Sequence, residues 1–232
     1  MTFKEEIIRR AKKIAVKQIT RGEITIKNPQ DKWKYSLAFF ISRVFGPFPL
    51  VCVLWLTTAL KSGIGFWKAI LVYPLIFFVD IAIPIAITSY LIYAKKVKDI
   101  EWSDLEQRNQ YLLPISFIAI PLLLFLTYFL TNSTIFHLSI LFSIIVLSML
   151  TIYRFFHFKI SGHIVTATIV ISGVNLFFGL NFLWLFLLII PIIWARYTLK
   201  VHTLVELISG FVLPAIIMLM AVFIFGWPNI KN

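Results

Sequence analysis

Residues 109–153, 160–195 and 207–230 contain no Asp, Glu, Lys or Arg. Runs of this kind are the strongest constraint on the fold, because each is long enough to hold at least one helix of about 20 residues, the length that crosses a bilayer core. The wider composition points the same way: 60% hydrophobic and 16% aromatic against 14% charged residues, far from the balance of a soluble domain. The expected fold is all-α, a polytopic transmembrane bundle of six to seven spans. Closing each apolar run at charged or turn-forming residues places the spans near 36–60, 67–93, 111–130, 135–155, 162–178, 182–199 and 203–226. The fifth is short, because Gly179 and Asn181 supply turn chemistry and predict a tight helical hairpin. The spans consume most of the 232 residues, so the organisation is a single membrane domain over 36–226, an arm at 1–35 and a short polar tail at 227–232. Cys52 is the only cysteine, which excludes an intramolecular disulfide.

The arm lacks the uninterrupted apolar core of a signal peptide. Phe3, Ile7, Ile8, Ala11, Ile14, Ala15 and Ile19 recur at helical spacing, and Lys4, Arg9, Arg10, Lys12, Lys13 and Lys17 fill much of the remaining surface. That pattern predicts an amphipathic helix lying on an anionic lipid surface. A solvated basic arm is the alternative. Nucleic acid is not expected as a partner, since the arm leads straight into a span with hardly any soluble domain behind it. The net charge of +12 is also unevenly placed. The arm, Lys95, Lys96, Lys98, Arg108, Arg154, Lys159, Arg196 and Lys200 share one side, whereas the opposite loops around 131–134 and 179–181 are uncharged. By the positive-inside rule that basic side is cytoplasmic, in the cell membrane.

Polar clusters far apart in sequence fall on that same side, an even number of crossings from one another: Asp104, Arg108 and Pro114; then "KISGH", Lys159 to His163; then Arg196; then His202 with Glu206. Ser161 and Gly162 open the fifth span, where unpaired N–H groups and the positive end of the helix dipole form an anion site. Ser161 is placed to cap that helix, and His163 to exchange a proton with a bound oxyanion. A Ser-Gly start is equally an ordinary cap. His202 and Glu206 are four apart on one helix face, so the carboxylate can hold one imidazole nitrogen and leave the other as a nucleophile. Arg196 lies across the turn, where its planar fork suits phosphate. The alternative is a capping box, with Thr203 capping, Glu206 reaching back and His202 merely interfacial. Within the spans, Arg43 is expected to snorkel and Asp80 to be protonated or hydrogen-bonded, with no direct pair between them.

Together the clusters resemble the type 2 phosphatidic acid phosphatase superfamily of integral-membrane lipid phosphatases and diphosphatases. Its pattern is Lys-x6-Arg-Pro, then Pro-Ser-Gly-His, then Ser-Arg-x5-His-x3-Asp. "ISGH" carries Ser161, Gly162 and His163, and "ARYTLKVHTLVE" carries Arg196, His202 and Glu206 at the x5 and x3 spacings. The resemblance covers roughly residues 95–226. It implies a lipid phosphate or diphosphate substrate of polyprenyl or phosphatidyl type and attack by His202 to give a phosphohistidine. Glu206 would orient His202, His163 would protonate the leaving oxygen, and Arg196 with the amides near Gly162 would hold the phosphoryl oxygens. No cofactor and no metal are implied. Ile160, Ala195 and Glu206 replace the family's Pro, Ser and Asp. If Pro114 is the first motif's proline, Leu113 and Glu106 stand where Arg and Lys belong, and Arg108, joined by Lys159, is the remaining phosphate-binding cation there. Losing two such cations costs several kcal/mol of stabilisation, at about 1.5–3 kcal/mol per charged hydrogen bond. A lipid-phosphate binding or translocating protein that keeps the fold without turnover is the alternative.

Overall fold

The computed structural model describes residues 32–225 apart from 62, 100, 101 and 103. The expected basic arm therefore lies outside the described residues except for its last positions, 32–35, as does the tail at 227–232. Among the described residues there is no strand. Six helical stretches are long and apolar enough to cross a membrane: Lys32–Lys61, Phe66–Tyr93, Arg108–Leu130, Ser133–Phe156, Leu180–Thr198 and Leu204–Ile224. The shorter apolar helix Gly162–Phe178 matches the fifth predicted span end for end. The chain is a multi-pass helical membrane protein.

Several spans are interrupted where the sequence reading drew single helices, and proline is the common cause. The first span is two helices, α1 (Lys32–Val44) and α2 (Pro47–Lys61). Pro47 sits where a helix start needs no N–H, and a Cβ on Gly46 would stand 3.2 Å from the Arg43 carbonyl oxygen, so the chain bends there around a residue without a side chain. The second span runs as α3 (Phe66–Phe77), a π-helical turn over Phe78–Ala82, and α4 (Ile83–Tyr93). Pro84 has no N–H to return to the Asp80 carbonyl, and the helix widens there. Asp80 lies in that turn and accepts a 2.7 Å hydrogen bond from Trp55 Nε1 on α2. The half-buried acid is thus hydrogen-bonded, as expected.

The third span repeats the device. A single turn at Leu105–Gln107 leads into a π-helical turn over Arg108–Leu112 and then α5 (Leu113–Leu130), with Pro114 just downstream. Asp104 secures the entry by accepting from the Glu106 and Gln107 N–H groups at 3.0 and 3.3 Å. The helical run so begins at Leu105, six residues earlier than predicted, and takes in Arg108. Next, α6 (Ser133–Phe156) is capped by the Asn132 side chain, which accepts from Ile135 N at 3.1 Å, and ends at left-handed His157.

The next helix, α7 (Gly162–Phe178), is the axis of the bundle. Thirteen of its 17 residues are buried, so it is wrapped by the other helices and its N-terminus opens into the interior. Two close approaches set that wrapping. A Cβ on Gly173 would lie 2.7 Å from Leu54 Cδ1 of α2. On α9 (Leu204–Phe225), a Cβ on Gly210 would lie 3.1 Å from both the Ser161 carbonyl oxygen and Ile164 Cβ. The hairpin predicted at Gly179 forms with φ +96°, a conformation that favours glycine, and continues as a 3₁₀ segment, Leu180–Leu188, into α8 (Ile189–Thr198). Asn175 donates to the Phe182 carbonyl at 3.4 Å across that hairpin. In the core, Leu54 of α2, Leu141, Ile145 and Tyr153 of α6, Ile169 of α7 and Met218 of α9 form one apolar cluster.

Candidate functional site

The α8–α9 connection shows why His202 and Glu206 meet. At the end of α8, Lys200 is left-handed (φ 54°), the Lys200 N–H returns to Tyr197 O and the Val201 N–H to Arg196 O. That double return is a Schellman stop, which satisfies the last carbonyls and reverses the chain within a few residues. Thr203 then starts α9: the Thr203 N–H donates to Glu206 Oε2 at 2.9 Å, and the Glu206 N–H donates to Thr203 Oγ1 at 3.3 Å. The same Glu206 Oε2 lies 3.1 Å from His202 Nδ1. The two sequence readings are therefore not rivals, since one carboxylate closes the capping box and holds the histidine.

A carboxylate only accepts, so His202 carries its proton on Nδ1 and its lone pair on Nε2. Burial, then the positive charges of Arg196, Lys159 and Arg108, push the His202 pKa from 6.5 down to about 2. The contact with Glu206 is accordingly a neutral N–H donating to a carboxylate rather than an ion pair. At neutral pH the ring is uncharged and its Nε2 lone pair is available.

The Ser161–His163 turn is held from three sides. Arg108, 5% exposed, donates through Nη1 to Tyr153 Oη at 2.9 Å and to the Ile160 carbonyl at 3.3 Å, and through Nε to the Trp102 carbonyl. Its guanidinium also lies over the Tyr153 ring, 5.1 Å from the centroid. Tyr153 Oη donates to the same Ile160 oxygen at 2.6 Å. On the other side, the Ser161 N–H reaches Glu206 O at 3.4 Å, beside the close approach of Gly210. Lys159 Nζ donates to Val201 O at 3.1 Å and ties this turn to the His202 loop. Burial, followed by the Arg108 charge, lowers the Lys159 pKa.

The expected Ser161 cap is not made. Ser161 occupies the N-cap position of α7 with extended backbone, but its side chain gives no capping hydrogen bond, and its fully buried hydroxyl has no hydrogen-bond partner. Ser161 thus leaves the start of α7 uncapped, and nothing lies within 4 Å of where a Gly162 Cβ would stand. A buried, unsatisfied hydroxyl beside an uncapped helix start is the donor set that an anion would complete.

Arg196, 3% exposed, is turned inward to α1. Its Nη1 donates to Ser42 Oγ at 2.7 Å and stands 3.5 Å from His163 Nε2; Ser42 Oγ is 3.4 Å from that same nitrogen. The two histidines open into different spaces. Gly162 and His163, with Ser42, Arg108 and Tyr153, line a cavity of about 400 Å³ whose other walls include Pro47, Phe48, Leu112, Ile115 and Met149. His202 and Glu206, with Lys159, Lys200 and Tyr35, line a more open cavity of about 830 Å³. Arg196 bonds to residues of the first while its charge acts on a histidine of the second.

All eight expected site residues thus gather at one end of the bundle, in roles that partly differ from expectation. Arg108 is bonded to the protein's own carbonyls and fixes the Ile160–Ser161 turn. Leu113 packs against the apolar cluster around Leu54 and Tyr153, so an arginine there would enter packed hydrocarbon rather than extend a clamp. Arg43 is exposed and lies over the Phe39 ring, 4.9 Å from its centroid. Sequence reasoning missed Ser42, Tyr153 and Gly210. Each is an unremarkable residue inside an apolar run, and only Ser42, a few residues before the Gly46–Pro47 break, had a neighbouring signal. Compared with family models, curated proteins and solved structures, the chain matches none of them.

Proposed function

We propose that the chain is a membrane-embedded, metal-independent phosphatase acting on a lipid phosphate or diphosphate of polyprenyl or phosphatidyl type. The observation that carries this reading is the His202–Glu206 contact at 3.1 Å, with the ring neutral and Nε2 free of the proton, among the cations Arg196 and Lys159. In this reading the phosphoryl group lies at Arg196 between the two cavities, with the adjoining lipid chain in the apolar one. His202 Nε2 attacks phosphorus, the bond to the lipid oxygen breaks, and His163 Nε2, having taken the proton of the bound phosphate monoanion's hydroxyl, passes it to that oxygen. The phosphohistidine is then cleaved by water, which loses its proton to His163. Arg196, Lys159, the Ser161 hydroxyl and the amides at Gly162 hold the phosphoryl oxygens. The excess of Lys and Arg in the loops at this end supports a site on the cytoplasmic face of the cell membrane.

Purified protein assayed for phosphate release against a panel of lipid phosphates tests the reading. His202→Ala should abolish release while binding persists, because the nucleophile goes and the cations stay. Chelator should leave the rate unchanged. The second reading, a lipid-phosphate binding or translocating protein, is favoured by the commitment of Arg108 to Tyr153 and Ile160 and by the opening of the two histidines into separate cavities. Wild-type protein that binds a lipid phosphate and hydrolyses none would establish it.

A further inference from the structure

Hydroxyls inside these helices have a local habit. Thr57, Thr127, Ser139, Ser143 and Thr168 each donate to the carbonyl four residues back in their own helix. This is the default for Ser and Thr in an apolar helix, where no water competes. Ser42 departs from it. Its hydroxyl, 1% exposed, turns away from α1 and stands between Arg196 Nη1 at 2.7 Å and His163 Nε2 at 3.4 Å. Three distant segments thereby meet at one oxygen.

The chemistry of the three groups fixes the direction of each bond. A guanidinium has donors only, so Ser42 Oγ accepts from Arg196, and its own hydrogen is left to point at an acceptor. His163 Nε2 is the acceptor in reach. Arg196 Nη1, 3.5 Å from the same nitrogen, adds a second donor facing it. Two donors directed at one ring nitrogen require a lone pair there, so His163 rests with its proton on Nδ1.

We infer that Ser42 is a positioning residue of the site, holding Arg196 and fixing the His163 tautomer so that Nε2 is the atom that handles the proton; this rests on the phosphatase reading. A hydroxyl serves both protonation states without moving a heavy atom. It donates to Nε2 when the ring is neutral. When Nε2 carries a proton, the oxygen accepts it on its second lone pair, still receiving Arg196 on the first. The first helix of the bundle, outside the stretch that resembles the phosphatase superfamily, thus contributes to the reaction geometry.

The test is nitrogen NMR of ¹⁵N-histidine-labelled, full-length protein in micelles, with the His163 signals identified by their loss in His163→Gln. Wild type should show a single His163 tautomer, protonated on Nδ1 and hydrogen-bonded at Nε2. Ser42→Ala should lose that bonded Nε2 signature, and Ser42→Thr, which keeps a hydroxyl, should restore it. In the lipid phosphatase assay Ser42→Ala should lower kcat by about tenfold or more with KM within about threefold, and Ser42→Thr should recover most of the rate. A wild-type His163 protonated on Nε2, or a spectrum indifferent to Ser42→Ala, overturns the inference. If Ser42→Ala does not fold, the wild-type tautomer decides. An active wild type whose rate ignores Ser42→Ala sinks this inference alone. An inactive wild type with the Ser42-dependent tautomer intact sinks the phosphatase reading instead, and with it the catalytic use of Ser42.

Discussion

Neutral His202 makes the fold sensitive to acid. Its folded pKa of about 2 lies below the unfolded value of 6.5, so the unfolded chain takes up a proton that the folded chain refuses. A depressed histidine pKa therefore contributes stability above about pH 6.5 that is lost progressively as pH falls toward the folded value. Each pH unit below the unfolded pKa costs about 1.4 kcal/mol, so at about pH 5 the loss from this residue alone is about 2 kcal/mol. That figure depends only on the folded pKa lying well below 5, which burial and the Arg196, Lys159 and Arg108 charges favour against the pull of the Glu206 carboxylate. His202→Gln keeps a polar group of similar reach and cannot titrate. Unfolding in mixed micelles from about pH 7.5 to about pH 5 should show wild type losing about 2 kcal/mol more than His202→Gln. The difference between the two proteins removes every other titrating group, since those are shared. Parallel loss of stability in both would refute the reasoning, because it would mean that His202 takes up its proton within the folded bundle.

Gly210→Ala should cost about 1–3 kcal/mol in the same assay, because its Cβ would press on the Ser161 carbonyl and Ile164 Cβ at 3.1 Å; unchanged stability would show that α9 has room to withdraw. For orientation, on a Cys52→Ala background, a membrane-impermeant thiol reagent should label Ser133→Cys in intact cells and should reach Lys96→Cys only after permeabilisation. The reverse pattern would move the site to the outer face.

Much of this protein was legible from sequence, and the reason is the bilayer. Hydrocarbon forces every backbone group into intramolecular hydrogen bonds, so long uncharged runs read directly as helices, and even the short fifth span, Gly162–Phe178, is found where Gly179 ends it. The His202–Glu206 contact was equally legible, because i and i+4 on one helical turn meet through local geometry alone. Prolines announced the breaks only in part: Pro47, Pro84 and Pro114 were visible, but whether a proline kinks a span, widens it into a π-turn or stops it depends on which neighbours satisfy the freed carbonyls. What only the tertiary structure decided is which donors face which acceptors across helices. Arg108 was read as a ligand for phosphate, yet the fold brings Tyr153 and the Ile160 carbonyl within its reach, and a buried guanidinium takes the nearest acceptors. Ser161 was read as a cap, yet its hydroxyl is left unpartnered in the packed turn. Ser42 had only the nearby Gly46–Pro47 break as a signal. It matters because α1 packs on α8, which lays one hydroxyl between an arginine and a histidine more than a hundred residues away, and no local period in a sequence encodes a contact of that range.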